Sequence, residues 1–141
     1  MKRFLILVSV VLLGFASFAK PAEGLSKDVL LQFDGYNVVW NTLSTTGSLE
    51  SMPLGNGDIT VNAWVEKDGD LMLYLGKSDA WAESTRLLKV GRVRVRLSPN
   101  PFDGTESDVQ ALRLADGKVN STARSKEIRC DLSVWVDANS P

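Results

Sequence analysis

The chain has 141 residues, 44% of them hydrophobic, and its 16 basic and 17 acidic residues leave a formal net charge of −1. That balance argues against a nucleic-acid partner held by bulk electrostatics. With no histidine in the chain, a histidine-based catalytic triad, a histidine general base and a histidine zinc site are excluded within it, and neither a metal nor a cofactor is expected.

The N-terminus has the plan of an export signal. Lys2 and Arg3 precede an apolar run from Phe4 to Phe18, broken only by Ser9, Gly14 and Ser17. Ser17 and Ala19 place small residues at the two positions a signal peptidase inspects, so cleavage is expected after Ala19, with export to the periplasm or beyond the cell. A spanning helix needs about 20 apolar residues, more than this run supplies, so no membrane association is expected after cleavage. Removing 19 of the 141 residues leaves 122, a length suited to one domain at about 100–200 residues per domain.

Residues 20–28 carry Pro21 and Gly24 and read as a linker. Val29–Phe33 and Tyr36–Trp40 are short apolar runs around Asp34-Gly35, read as two strands, and Asn41–Ser51 reads as a loop. The segment Ser51–Trp81 is the most informative. It holds a glycine-marked turn at Gly55–Asp58, a strictly alternating strand in which Ile59, Val61, Ala63 and Val65 share one face, and an Asp68-Gly69 hairpin turn. The returning strand Leu71–Leu75 and a polar loop closed by Trp81 follow. Trp64 and Tyr74 fall on neighbouring strands.

Leu87–Leu97 is the next strand, with Arg92, Arg94 and Arg96 alternating with Val93, Val95 and Leu97. Ser84–Val90 has room for one helical turn at most. Such an arginine row, with neighbours about 7 Å apart, either holds an anionic ligand or is a solvated face with acidic residues opposite it. A loop through Ser107 leads to a hairpin of Val109–Leu114 and Val119–Ala123 around Asp116-Gly117, and Glu127–Asp137 is the last strand. The lone Cys130 sits on the apolar face of that strand, which predicts a buried, inert thiol. Short strands punctuated by turns predict an all-β fold, an antiparallel β-sandwich across residues 29–141. Trp64 and Trp135 on otherwise polar faces imply cover from a second sheet or a further domain.

Two places could carry chemistry. The Gly55-Asn56-Gly57-Asp58 turn can present backbone amides with the side chains of Asn56 and Asp58, or simply connect into the strand. Ser78–Glu83 sets Trp81 beside Asp79 and Glu83, a composition suited either to a sugar stacked on the ring with its hydroxyls on carboxylates, or to a loop anchored by its own tryptophan. Glycoside hydrolysis needs two carboxyl groups across the scissile bond, and the spacing of Asp58, Asp79 and Glu83 supplies no such pair. No catalytic residue is therefore expected. Asn120-Ser121-Thr122 matches a glycosylation sequon.

At Trp40, Met52-Pro53-Leu54-Gly55-Asn56-Gly57 and Trp81 the chain resembles the N-terminal β-supersandwich domain of family 95 glycoside hydrolases, the α-L-fucosidase-like group. From Asn37 through Phe102 it looks closer still to a bacterial relative, the N-terminal part of domain of unknown function 5703. Asp58 stands where the fucosidase-like group commonly has arginine or lysine, a departure that speaks against fucose specificity. The resemblance implies a supersandwich-like accessory domain of an exported bacterial protein acting on complex glycans. Its partner would be a helical toroid catalytic domain of the same parent protein, with Asn56, Asp58, Asp79 and Trp81 as candidate carbohydrate-binding residues. It also implies continuation beyond Pro141, making the chain a fragment with an incomplete sandwich. A free-standing carbohydrate-binding module and a purely structural β-domain remain as alternatives.

Overall fold

The computed structural model describes residues 4–9, 26–105, 107–126 and 128–138. The expected cleavage site after Ala19 and the first part of the linker lie outside them. The chain is built from two sheets, as the alternating pattern predicts. One is a four-stranded antiparallel sheet of β3 (Met52–Gly55), β4 (Ile59–Val65), β5 (Leu71–Trp81) and β6 (Leu87–Val95) in that order. In the other, β2 (Val38–Trp40), β7 (Ser107–Arg113), β8 (Lys118–Arg124) and β9 (Ile128–Trp135) pair antiparallel. Its far edge is β1 (Phe4–Ser9), which lies parallel to β9 and belongs to the segment read as an export signal.

The core lies between the sheets. Val61, Ala63, Val65, Leu71 and Leu73 from one sheet meet Leu112, Val119, Ala123, Cys130, Leu132 and Val134 from the other, with Phe102 closing one side. Every one of these strand residues sits at period two with its neighbours, which is how an alternating sequence buries one face. Cys130 is fully buried, and burial pushes its thiol up from the ordinary value, so the inert reading of the sequence holds.

The sheets are also joined by a polar bridge. β3 ends at Met52, opposite Ala63, so the backbone of Val65 has no strand beside it on that side. Ser44 N–H donates to the Val65 carbonyl at 2.9 Å. The Val65 N–H donates to Oε1 of Gln110 on β7 at 2.8 Å, and Gln110 Nε2 donates to the Thr42 carbonyl at 3.1 Å. One side chain thus satisfies a buried backbone group that the ladder cannot reach.

Three local readings are corrected. Val29–Phe33 is not a strand but part of a helix, α1 (Lys27–Asp34). Ser26 caps it by accepting from the Val29 N–H, and Asp28 sits favourably in the first turn. The Met52–Gly55 stretch, of which the sequence pattern assigns only Gly55, to the turn, is a strand because Met52 and Leu54 bury against the core while it pairs with β4. The polar stretch after Gly76, read as a loop, continues β5 to Trp81, because Lys77 pairs with Ile59 and Trp81 with Leu87 across the ladder. Its register shifts around Gly76. Within Ser84–Val90, residues from Leu87 on are strand, and the tight turn before them holds Thr85 at φ 61.

Candidate functional site

The Gly55–Asp58 turn joins β3 to β4. Gly57 takes φ +95, as two glycines around an asparagine predict. Asn56 is the organiser of the turn. Its Oδ1 accepts from the Asp58 and Ile59 N–H groups at 3.0 and 2.8 Å, and its Nδ2 donates to the Asp137 carbonyl at 2.8 Å. The amide therefore ties the turn to the segment after β9.

Asp58 faces the extended end of β5. Lys77 Nζ donates to its Oδ1 at 3.0 Å, Ser78 Oγ donates to the same oxygen at 3.1 Å, and the Ser78 N–H donates to its carbonyl at 2.8 Å. Lys77 also reaches Asp79 at 2.8 Å. The three charges form one chain, Asp58–Lys77–Asp79. The hydrogen bond from Lys77 holds the Asp58 carboxyl below the usual carboxylate range, and the bonds to Asp79 and then Asp58 raise Lys77 above the usual ammonium value. Lys77 was not singled out from the sequence. Its position one residue from Ser78-Asp79 was the available signal, but only the pairing of Ile59 with Lys77 brings it to Asp58.

Trp81 lies at the tip of the β5–β6 hairpin, 57% exposed. Its indole N–H donates to the Ser78 carbonyl at 2.7 Å, which fixes the ring while leaving it open to solvent. Leu87, opposite Trp81 in the ladder, and Val90 are exposed as well. The structure thus brings Asp58, Asp79 and Trp81 to one end of the four-stranded sheet through Lys77 and Ser78, with Asn56 behind them as support. Glu83, in the hairpin turn, has no bond to this group among the described residues.

The outer face of the same sheet carries the two aromatic residues noted in the sequence. Trp64 is buried to 2% exposure and meets Tyr74 edge-on, with ring centroids 4.9 Å apart. Trp135, on the other sheet, is partly covered by Lys118, whose Nζ lies 5.7 Å from its ring centroid. The arginine row divides. Arg96 makes a two-pronged contact with Asp70 at 2.9 and 2.7 Å, and Arg94 reaches Asp70 at 3.2 Å and Glu66 at 3.3 Å. Arg92 has no acidic partner among the described residues. The expected acidic residues opposite the row are therefore present for two arginines out of three. The sequon asparagine, Asn120, lies within β8 with its Oδ1 accepting from Ser133 Oγ at 2.8 Å, in the middle of the sheet rather than on a free loop.

A family model described as domain of unknown function 5703, in its N-terminal part, matches residues 39–141. The chain belongs to this family. No curated protein and no solved structure matches it. Within this DUF5703 domain the matched region starts inside β2 and takes in both sheets apart from β1 and the first residue of β2.

The arrangement favours recognition over bond cleavage. A general acid for glycoside hydrolysis works with a raised pKa, whereas the Asp58 carboxyl is held low by the same lysine that binds Asp79. A fixed, solvent-facing indole beside hydroxyl and carboxylate groups is instead the kind of surface on which a pyranose ring stacks.

Proposed function

We propose that this DUF5703 domain is an accessory, non-catalytic N-terminal β-domain of an exported bacterial glycoside hydrolase-like protein acting on complex glycans. It packs beside a helical toroid catalytic domain of the same parent protein and lends the Asp58–Asp79–Trp81 end of its four-stranded sheet to the substrate cleft. The observation that carries the reading is Trp81, more than half exposed yet held by its indole N–H. An exposed tryptophan ring loses little on release to solvent but gains on contact with a flat apolar surface. The exposed Leu87, opposite it in the ladder, extends that surface.

The test is glycan binding by the chain and by Trp81→Ala on an array of plant and microbial oligosaccharides. Binding by the parent chain that disappears in Trp81→Ala, with the melting temperature unchanged, supports the reading. Equal binding by both proteins refutes it. The same exposed ring would serve a free-standing carbohydrate-binding module, and reading the gene past Pro141 separates the two: a helical toroid in frame supports the accessory domain, and a stop codon supports the module.

A further inference from the structure

The outer face of the four-stranded sheet carries a groove of about 160 Å³ lined by Thr60, Asn62, Tyr74, Leu87, Leu88 and Lys89, with Leu75 and Gly76 at its floor. The register explains the shape. Gly76 faces Thr60 on one side and Lys89 on the other. Any Cβ at residue 76 would lie 2.6 Å from Thr60 Oγ1, so the missing side chain creates the depression. Next to it, Tyr74 faces Asn62 and Arg92. Lys89 Nζ sits 3.7 Å from the centroid of the Tyr74 ring.

The charge of this groove is not balanced. Neither Lys89 nor Arg92 has a carboxylate partner among the described residues, and no acidic residue lines the groove. The contrast along the same strand is direct, because Arg94 and Arg96 both reach acids. Lys89 lines the depression together with hydroxyl and amide groups, and Arg92 stands next to it across the ladder from Tyr74, so the groove forms a site for an oxyanion. The space holds roughly five waters at about 30 Å³ each, enough for a carboxylate or sulfate group and too little for a whole oligosaccharide. Leu87 connects it to Trp81: it lines the groove and stands opposite Trp81 in the ladder.

We infer that this groove binds the anionic substituent, a carboxylate or a sulfate ester, of an acidic glycan whose neighbouring ring stacks on Trp81. The glycan as carrier rests on the reading given under Proposed function; the anion rests on Lys89, Arg92 and the groove alone. Binding is measured by calorimetry on the full chain with a galacturonate oligomer, its methyl ester, a sulfated oligosaccharide and a neutral oligosaccharide of the same length. The free acid, the sulfated sugar or both should bind at least about tenfold more tightly than the uncharged forms, from the strength of charged hydrogen bonds. Lys89→Ala and Arg92→Ala, both on an exposed surface, should each remove about that factor while leaving the melting temperature in place, and Arg92→Lys should restore part of it. Preference for the carboxylated or the sulfated oligomer identifies which anion the groove takes. Charged and uncharged oligomers binding alike, with both variants unaltered, would sink the groove while leaving the glycan reading intact. No binding of any oligomer would overturn both.

Discussion

Replacing Gln110 tests whether the two sheets are locked by one buried amide. Gln110 is 3% exposed and bonds to the Val65 N–H and the Thr42 carbonyl. In Gln110→Met the shape is nearly kept and both bonds are lost. Thr42 is exposed, so water replaces its partner. Val65 is fully buried, and β3 ends too early to offer it a carbonyl. The stranded N–H costs about 1–3 kcal/mol, less what the added apolar side chain returns. The expected net loss is about 1–2 kcal/mol, or about 4–8 °C in melting temperature for a domain of this size. Gln110→Glu adds a signature that packing alone cannot imitate. A protonated carboxyl can still accept from Val65 and donate to Thr42, but a carboxylate turns two lone-pair-bearing oxygens toward each other in a buried site. Burial raises the folded-state pKa of this glutamate above its unfolded value near 4.3. Its native interaction is therefore present below about pH 4 and lost as pH rises through the folded pKa. Urea unfolding followed by tryptophan fluorescence, at pH 4 and pH 7, should show the gap between Gln110→Glu and the parent chain widening with pH. A Met variant within about 0.5 kcal/mol of the parent, or a pH-independent gap for the Glu variant, would refute the argument.

Asp70 gives a pH dependence of opposite sign. The hydrogen bonds from Arg96, with Arg94 nearby, hold its carboxyl below the usual range. A depressed folded pKa contributes stability above the unfolded value of about 3.9, and that stability is lost as pH falls through the folded pKa. Asp70→Asn should melt lower than the parent at pH 7, with the difference shrinking in acid; a constant offset in thermal melts from pH 2 to pH 7 would contradict the assignment. Cys130 is buried with a raised thiol pKa, so it should react with a thiol reagent only as fast as the chain opens. Fast labelling of the native protein would place it elsewhere. Asn56→Ala removes three hydrogen bonds and should cost about 2 kcal/mol, measured by urea unfolding, a loss of fold stability rather than of a ligand contact. Deleting residues 1–19 removes β1 and opens the β9 edge at Ile128–Ser133. The shortened chain should associate in light scattering through that edge, and a monodisperse monomer would count against it.

The sequence revealed the fold wherever one strand's own pattern was sufficient. The β4–β5 hairpin, the β7–β8 hairpin and the buried face of β9 follow from alternation and Asp-Gly turns, and the structure places them as read. Legibility failed where the deciding partner was distant. Val29–Phe33 is too short for its apolar run to separate helix from strand, and the tie was broken by Ser26 and Asp28. Lys77–Trp81 has the composition of a loop, and only Ile59 and Leu87 make it a strand. The pairing of β2 with β7, seventy residues apart in rough terms, leaves no local trace at all.

The arginine row shows how far register alone reaches. Arg92 and Arg94 on β6 and Arg96 just past its end are equally spaced and look equivalent in the sequence. The ladder pairs Leu71 with Val95, Met72 with Arg94 and Tyr74 with Arg92, so the residues facing the row are Asp70, just before β5, then Met72 and Tyr74 on it. Asp70 satisfies Arg96, and the chain doubles back at Asp68-Gly69 to bring Glu66 within reach of Arg94. Both acids belong to the turn end of the hairpin. Toward the other end β5 offers an aromatic ring opposite Arg92 and then a glycine opposite Lys89, so Lys89 borders a depression and neither cation meets a carboxylate among the described residues. One sequence pattern therefore yields a structural ion-pair cluster at one end and an unbalanced anion groove at the other. Replacing Tyr74 with glutamate would place an acid in that register and should abolish acidic-glycan binding without disturbing the Arg94 and Arg96 pairs.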